Sequence, residues 1–275
     1  MKNSNFIINF AAFIVAFFIC FTSCKKDPNP EPEPTPNKVM LPSEIVFDNN
    51  HEGETKGLVI KFIYDDKNRI VSFDRFYPIN ETLHDSITGI FIYNDFGQLT
   101  DVTWQSYGSY ESTQIERYTY SDNFVTSTYQ IDYKKINPYR KCELKDGRMI
   151  KEYSPTFNST GDDFQEYRTF SYDALENIAV VLYLKDNHNE RISYDYKNGV
   201  FSGINKPNWL LWRSESHPLW FQTINNPSKI EFIYDNAEKN YTTTFEYLEY
   251  NSNDYPTKIK VNGLAEIKIK YIEAK

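Results

Sequence analysis

One short sequence pattern recurs along this chain and limits the folds that the chain can adopt. The pattern is an aromatic residue, any one residue and a tyrosine, followed by a polar turn. The clearest copies occupy positions 62–70 and 91–99, and looser copies lie at 118–122, 170–173, 194–199 and 232–235. Residues 142–149 resemble a copy that has lost its aromatics. With that copy included, the second aromatic positions 64, 93, 120, 144, 172 and 196 are 29, 27, 24, 28 and 24 residues apart.

Each unit is long enough for two strands and two connections, and its Asp, Asn and Gly residues have the chemistry of tight turns. Repeated hairpins of this kind predict an all-β fold, an antiparallel β-meander that is curved or barrel-like. The stretches 245–250 and 265–272 are expected to be the closing strands. Roughly 235 residues in one such array fit a single domain.

The spacing also assigns the two faces of each strand. Residues two apart point to the same side, so the aromatic residue and the tyrosine of each copy share a face. We expect that face to be buried, because the intervening position accepts both Ile92 and polar residues such as Thr119. The tyrosines are therefore interpreted as core residues rather than catalytic groups.

A longer step of 38 residues separates Tyr196 from Tyr234 and indicates an insertion near 200–227. It contains three of the four tryptophans, Trp209, Trp212 and Trp220, which are the predicted ligand-binding residues. Two interpretations are open for them. The insertion folds back as a plug or lid that buries the rings, or the rings form an exposed platform for a glycan or protein ligand. The plug is favoured for at least two of the three, since a long insertion stays ordered only by burying apolar surface.

The first 23 residues have the features of a lipoprotein signal peptide. Lys2 precedes an almost wholly apolar run, Phe6 to Phe21, which is short for a spanning helix. The run closes on Phe-Thr-Ser-Cys, which resembles the bacterial lipobox. The resemblance implies that Cys24 is the lipidation site and that the membrane is a partner through that lipid. Residues 24–40 follow as a stalk, with proline at every second position from 28 to 36, and residues 41–275 form the folded domain.

Composition and motifs argue against several function classes. The formal net charge is −8 and basic residues are not clustered, so no nucleic acid partner is expected. The four histidines lack metal-ligand spacing, and the chain contains no Gly-x-Ser-x-Gly elbow and no phosphate-binding loop. Catalytic residues, metal ligands and cofactors are therefore not predicted. Once Cys20 and Cys24 are set aside, Cys142 has no partner for an intramolecular disulfide.

The lipidation motif, the stalk, the Tyr-Asp hairpins, the Trp- and Pro-rich insertion and the segment 225–230 together resemble a Bacteroidota lipoprotein family of unknown function with a porin-like fold. The resemblance implies a curved meander approaching a barrel, and it carries over no catalytic residues. It implies an outer membrane lipoprotein on the periplasmic or cell-surface face. Charged residues on the non-aromatic face of the strands argue against a membrane-spanning barrel. The function expected is a binding or scaffold module of the envelope, and the alternative is a secreted hydrolase of glycans or peptides.

Overall fold

The computed structural model describes residues 38–48, 57–79, 82–108, 111–132, 136–156, 163–205, 207 and 224–275. These residues form sixteen strands and one short 3-10 turn at Ala237–Lys239. The strands are β1 Met40–Asp48, β2 Val59–Tyr64, β3 Ile70–Ile79, β4 Thr82–Tyr93, β5 Leu99–Tyr107, β6 Ser112–Ser121, β7 Phe124–Ile131, β8 Ile136–Lys145, β9 Arg148–Pro155, β10 Phe164–Tyr172, β11 Ile178–Tyr183, β12 His188–Asn198, β13 Asn225–Tyr234, β14 Tyr241–Tyr250, β15 Pro256–Val261 and β16 Ala265–Glu273. Among the described residues, none lies in a helix long and apolar enough to cross a membrane.

The sheet closes into a barrel in which every strand pairs with its neighbours in the sequence. The closing contact joins β1 to β16 antiparallel, from Met40 opposite Glu273 to Asp48 opposite Glu266. Closure leaves none of the sixteen strands at an edge, which removes the edges on which a sheet can aggregate. The predicted antiparallel meander is thus confirmed, and of the two shapes left open it takes the closed one.

The residue after the repeat tyrosine builds the turn that follows. Asp65 Oδ1 accepts hydrogen bonds from the backbone N–H groups of Lys67 and Arg69, each at 2.9 Å. Asn94 makes the same pair of bonds in the β4–β5 turn, and Asp173 makes it in the β10–β11 turn. Three residues after the Asp or Asn, the backbone is left-handed, at Asn68, Gly97 and Glu176. A short polar side chain that bonds its own turn explains why Asp or Asn recurs there.

Tyrosines at the repeat position fasten seven of the eight even-numbered strands to the strand before them. Tyr64 donates from its hydroxyl to the carbonyl of Pro42 at 2.7 Å, and Tyr93 donates to the carbonyl of Ile70 at 2.9 Å. We call these side chains the latch tyrosines, and the end of the barrel where they lie the latch end. The set is Tyr64, Tyr93, Tyr120, Tyr172, Tyr194, Tyr247 and Tyr271. β8 contains the repeat copy without aromatics. The equivalent residue there is Leu144, which has no hydroxyl to donate.

Two of the repeat positions read from the sequence are corrected by these contacts. The latch on β12 is Tyr194, whereas Tyr196 is 91% exposed. Tyr234 lies on β13, an odd-numbered strand, and the latch of the next unit is Tyr247 on β14. In the segment Tyr194-Asp195-Tyr196 the two tyrosines are two residues apart, so both lie on the same face of the strand and either could be the latch. Burial selects the first, because Ile192, two residues earlier, pairs with the buried Ile230.

The predicted buried face is confirmed. Two residues before each latch position stands a second inward residue, and these form a middle layer of Phe62, Phe91, Tyr118, Cys142, Phe170, Ile192, Phe245 and Ile269. Phe91 is 5% exposed, whereas Ile92 beside it is 49% exposed and Thr119 is also exposed. Buried apolar residues inside the barrel form one core cluster, and partly buried ones such as Phe62 and Ile192 pack against it.

The beginning of the insertion closes the latch end. Val200, Phe201 and Ile204 are buried, and the Phe201 ring packs edge-on against Phe62 at 5.6 Å between centroids. A Cβ at Gly203 would lie 2.5 Å from the carbonyl oxygen of Met40, so this loop presses directly on the start of β1. The insertion ends slightly earlier than predicted, because residues 225–227 already belong to β13. We call Val200, Phe201 and Ile204 the plug.

Candidate binding site

The predicted site residues lie outside the described part of the chain. This holds for the lipidation residue Cys24 and for Trp209, Trp212 and Trp220, which we call the insertion tryptophans. The choice between a buried and an exposed position for these rings therefore stays a prediction. The part of the insertion that is described does act as a plug, but through Phe201 and two aliphatic residues that the sequence did not single out.

A third inward position, two residues before the middle layer, divides the barrel into two halves. On β16, β2 and β4 it holds Ile267, Ile60 and Gly89. On β6, β8, β10, β12 and β14 it holds Glu116, Arg140, Arg168, Glu190 and Thr243. We call these five residues, with Ser127, Glu152 and Tyr183 on the strands between them, the polar layer. Glu116, Ser127, Glu152, Arg168 and Thr243 are buried.

The apolar half is closely packed. Gly89 lies opposite Phe73 on one side and Trp104 on the other, and the two rings meet edge-on at 5.4 Å. A Cβ at Gly89 would approach both rings to 3.0 Å, so any larger residue would require the two rings to shift. Trp104, the fourth tryptophan of the chain, is thus a core residue.

An ion network forms the centre of the polar half. Glu152 is 1% exposed, and its carboxylate forms ion pairs with both Arg140 Nε and Arg168 Nε. Arg168 also donates from Nη1 to the Tyr183 hydroxyl at 3.2 Å. Burial, the largest effect, acts to lower the pKa of Arg168, but the charges and hydrogen bonds of Glu152 and Tyr183 together outweigh it and raise the pKa, so this guanidinium stays charged.

Glu190 is the second carboxylate beside Arg168, and its environment favours the protonated form. Burial raises its pKa, against the hydrogen bond with Tyr183 and the charge of Arg168, which lower it. Burial also raises the pKa of Tyr183. Burial therefore favours the protonated form of Glu190.

Stacked rings line the barrel between the polar layer and the end opposite the latches, which we call the far end. His188 lies between Tyr183 and Tyr234, with ring centroids 4.1 Å and 4.7 Å away and nearly parallel planes. Its position follows from the register, because Tyr183, His188 and Tyr234 are directly opposite on β11, β12 and β13. Burial lowers the pKa of His188. Since these rings cover each other's faces, they offer a ligand their polar edges rather than a flat stacking surface.

Two donors in the polar layer have no acceptor within the described part of the chain. They are Arg140 Nη1 and Ser127 Oγ, and both atoms are buried. Ser127 lies directly opposite Arg140 in the β7–β8 pairing. Buried donors nearly always have a partner. Two such donors on facing residues therefore indicate a position where a water molecule or a polar ligand could bind. Within the described ranges, no three His, Cys, Asp or Glu side chains are grouped so as to hold a metal ion.

Sequence analysis missed this layer, although a signal for it exists. Counting two residues back from each aromatic-x-Tyr copy reaches charged side chains on three adjacent copies, Glu116, Arg140 and Arg168. Period two places them on the buried face, where charged residues are rare unless they are paired. The pairing itself depends on which strands lie side by side, which the sequence alone leaves open.

Two crystal structures align with most of this chain at low similarity. A porin-like protein from Bacteroides uniformis ATCC 8492 is 11% identical with a TM-score of 0.34, over 84% of this chain and 96% of that one. A porin-like protein from Bacteroides vulgatus ATCC 8482 is 13% identical with a TM-score of 0.36, over 85% and 99%. Similarity at this level supports no conclusion about function. No family model matches the chain, and no curated protein sequence matches it.

Proposed function

We propose that this chain is a lipid-anchored module of the outer membrane that binds a small polar ligand or the end of a glycan or peptide in the polar layer of its barrel. In this proposal residues 1–23 are removed as a signal peptide, Cys24 carries the lipid, and residues 24–40 form the stalk. The insertion tryptophans remain the second candidate contact. The barrel acts by binding, with no catalytic residue assigned.

The two ends of the barrel differ, and the difference supports a site toward the far end. The latch end, where β1 starts with Met40, is closed by the latch tyrosines and by the plug. The polar layer lies beyond the middle layer, toward the far end, so we expect a ligand to enter from that end.

The outer face supports a barrel that stands in water. Near the closure, Lys270 pairs with Glu44 at 2.7 Å, and Lys258 pairs with Glu266 at 3.3 Å, all on the outward side. A barrel embedded in lipid has an apolar outer band, and a Lys or Arg at the membrane midplane costs about 2–4 kcal/mol. Ion pairs on the outward side differ from that arrangement, which fits a domain held near the membrane by a lipid.

The observation that carries the binding proposal is the ion network around Glu152. Buried ion pairs rarely stabilise a fold more than well-packed apolar residues would. The equivalent layer positions on β2 and β16 hold isoleucine, so this scaffold accepts apolar residues there. Retaining five polar residues on adjacent repeat units therefore indicates a role other than stability. Both oxygens of Glu152 face guanidinium groups, which favours recognition over acid catalysis and gives the hydrolase alternative no support.

The binding proposal is tested with a glycan array and a peptide library probed with the mature chain. A hit is then measured by titration calorimetry against Glu190→Gln, which alters the polar layer, and Glu246→Gln, which makes the same change on the exposed face of β14. We expect the first variant to lose at least tenfold in affinity and the second to bind normally. Equal affinity in both variants would place the site elsewhere, with the insertion tryptophans next in line.

The anchor is tested separately by fatty acid labelling in cells. Cys24→Ala is expected to abolish labelling and release the protein from the outer membrane, whereas Cys20→Ala, within the signal peptide, retains both. Continued labelling of the Cys24→Ala variant would refute the lipoprotein assignment without bearing on the barrel.

A further inference from the structure

A row of uncharged side chains crosses the outer face of five neighbouring strands, β2 to β6. Its members face one another in the strand register and are Ile63, Ser72, Ile90, Thr103 and Ile115. Ile92, on the latch side of this row, adds a further isoleucine, and we call the six residues the outer strip. Ile63, Ile90 and Ile92 are 57%, 39% and 49% exposed. Side chains directly opposite in a sheet lie about 5 Å apart, so the strip is continuous.

The outer face near the closure of the barrel has a different character. Outward positions on β1 and β16 hold Glu44, Lys268 and Lys270, and Lys270 pairs with Glu44 at 2.7 Å. The solvated face of an antiparallel sheet is normally polar in this way. Adjacent exposed isoleucines on the outer strip therefore indicate a surface that a partner or another part of the chain covers.

The loop that contains the plug leads the chain to this strip. It leaves β12, crosses the latch end and reaches Asn205, whose N–H and Nδ2 groups donate to the carbonyls of Asn68 and Lys67 at 3.1 Å each. Those carbonyls belong to the turn between β2 and β3, the two strands on which the outer strip begins. The insertion returns at Ile224, whose carbonyl accepts a hydrogen bond from the N–H of Gly199 at 2.8 Å.

The segment 208–223, which follows this attachment, has the composition and length to cover the strip. Its large apolar residues are Trp209, Leu210, Leu211, Trp212, Leu219, Trp220 and Phe221. The charges of Arg213 and Glu215 balance each other, which suits an uncharged surface. Sixteen extended residues reach about 50 Å, enough to run onto the strip and return to β13. The plug, whose residues are buried, already fills the latch end of the interior.

We propose that residues 208–223 pack on the outer strip, with tryptophan and leucine side chains against Ile63, Ile90 and Ile92. The hydrophobic effect favours this contact, because both surfaces are otherwise left in water beside the point where the chain is attached. The inference does not depend on ligand binding by the barrel. Rings that pack on the strip are withdrawn from solvent, which keeps the polar layer ahead of them as the candidate ligand contact.

Cysteine cross-linking tests where the segment lies. Ser214→Cys is combined with Ser72→Cys in the outer strip or, as a matched control, with Ser171→Cys on the outward face of β10. Both variants of the mature chain also carry Cys24→Ala, and Cys142 is buried away from the reagent. With a short bismaleimide, we expect the cross-link within one chain to form at least fivefold more with position 72 than with position 171. Equal yields, or a higher yield at position 171, would overturn the proposal.

The same reaction distinguishes a second copy of the chain as the occupant of the strip. Cross-links through position 72 that join two chains, together with sedimentation as a dimer, would assign the strip to an interface between copies and refute the proposal. We expect the cross-linked product to remain a monomer.

Trypsin cleavage measures release of the segment without a cross-link. Arg213 is the one basic residue of 208–223, so cleavage after it reports on this segment alone. The double variant Ile63→Thr, Ile90→Thr keeps β-branched side chains on the strands but makes the strip polar. We expect it to be cleaved at least fivefold faster than the unaltered chain. Leu182→Thr makes a comparable change at a 41% exposed position of β11 and should leave the rate unchanged. Equal rates in the two variants would contradict packing on the strip.

Discussion

The latch tyrosines allow a sharp test of the repeat, because two tyrosines two residues apart have opposite predicted roles. Tyr194 donates from its hydroxyl to the carbonyl of Ile178 at 2.7 Å across β11 and β12, whereas Tyr196 is 91% exposed. Phenylalanine keeps the ring and removes only the hydroxyl. In Tyr194→Phe the lost hydrogen bond is worth about 0.5–1.5 kcal/mol, and the stranded carbonyl raises the cost toward 1–3 kcal/mol. Tyr196→Phe should change the free energy of unfolding by less than about 0.5 kcal/mol.

Urea unfolding followed by near-ultraviolet circular dichroism measures both variants. The same substitution at Tyr64, on the opposite part of the repeat array, should cost a similar amount, since its hydroxyl donates to Pro42. The two sites share no partner, so the double variant Tyr64→Phe, Tyr194→Phe should lose the sum of the single losses. Equal small losses at positions 194 and 196, or a larger loss at 196, would refute the latch and with it the corrected repeat register.

Three further predictions concern the core, the alkaline limit and the insertion. Phe91→Ala should destabilise by about 3–5 kcal/mol while Thr119→Ala, on the exposed face, stays within about 0.5 kcal/mol in the same urea assay; similar values would overturn the face assignment. Burial raises the pKa of Tyr93 to about 12 from its usual 10.0, and a raised pKa means that the folded state holds the proton more tightly. Stability is then complete below pH 10 and falls as pH rises toward 12, so a flat profile over that range would contradict the burial of the latch ring. Alanine at the insertion tryptophans should lower the melting temperature at two or more sites if they extend the plug, and unchanged melting at all three would favour the binding platform.

The polar layer shows why sequence analysis missed this candidate site. The presence of Arg168 two residues before Phe170 is visible in the sequence, and so is its place on the inward face. Its partner Glu152 is recognised only through the pairing of β9 with β10, where a register shift between Glu166 and Arg168 aligns them. A bulge of this kind changes which residues meet without leaving a distinct signature in the chain.

The sequence by itself determined the local elements of this protein. Alternation with period two assigned the buried face, and an Asp or Asn after the tyrosine specified the turn, because both effects act between residues a few positions apart. Tertiary structure decided what depends on distant strands: the closure of β1 on β16, the choice of Tyr194 over Tyr196 as a latch, and the meeting of two arginines on Glu152. Each of these is set by strand register and by the curvature of the whole sheet. A shift of one residue in pairing exchanges the two faces, so register is selected by burial over all sixteen strands together rather than by any single repeat.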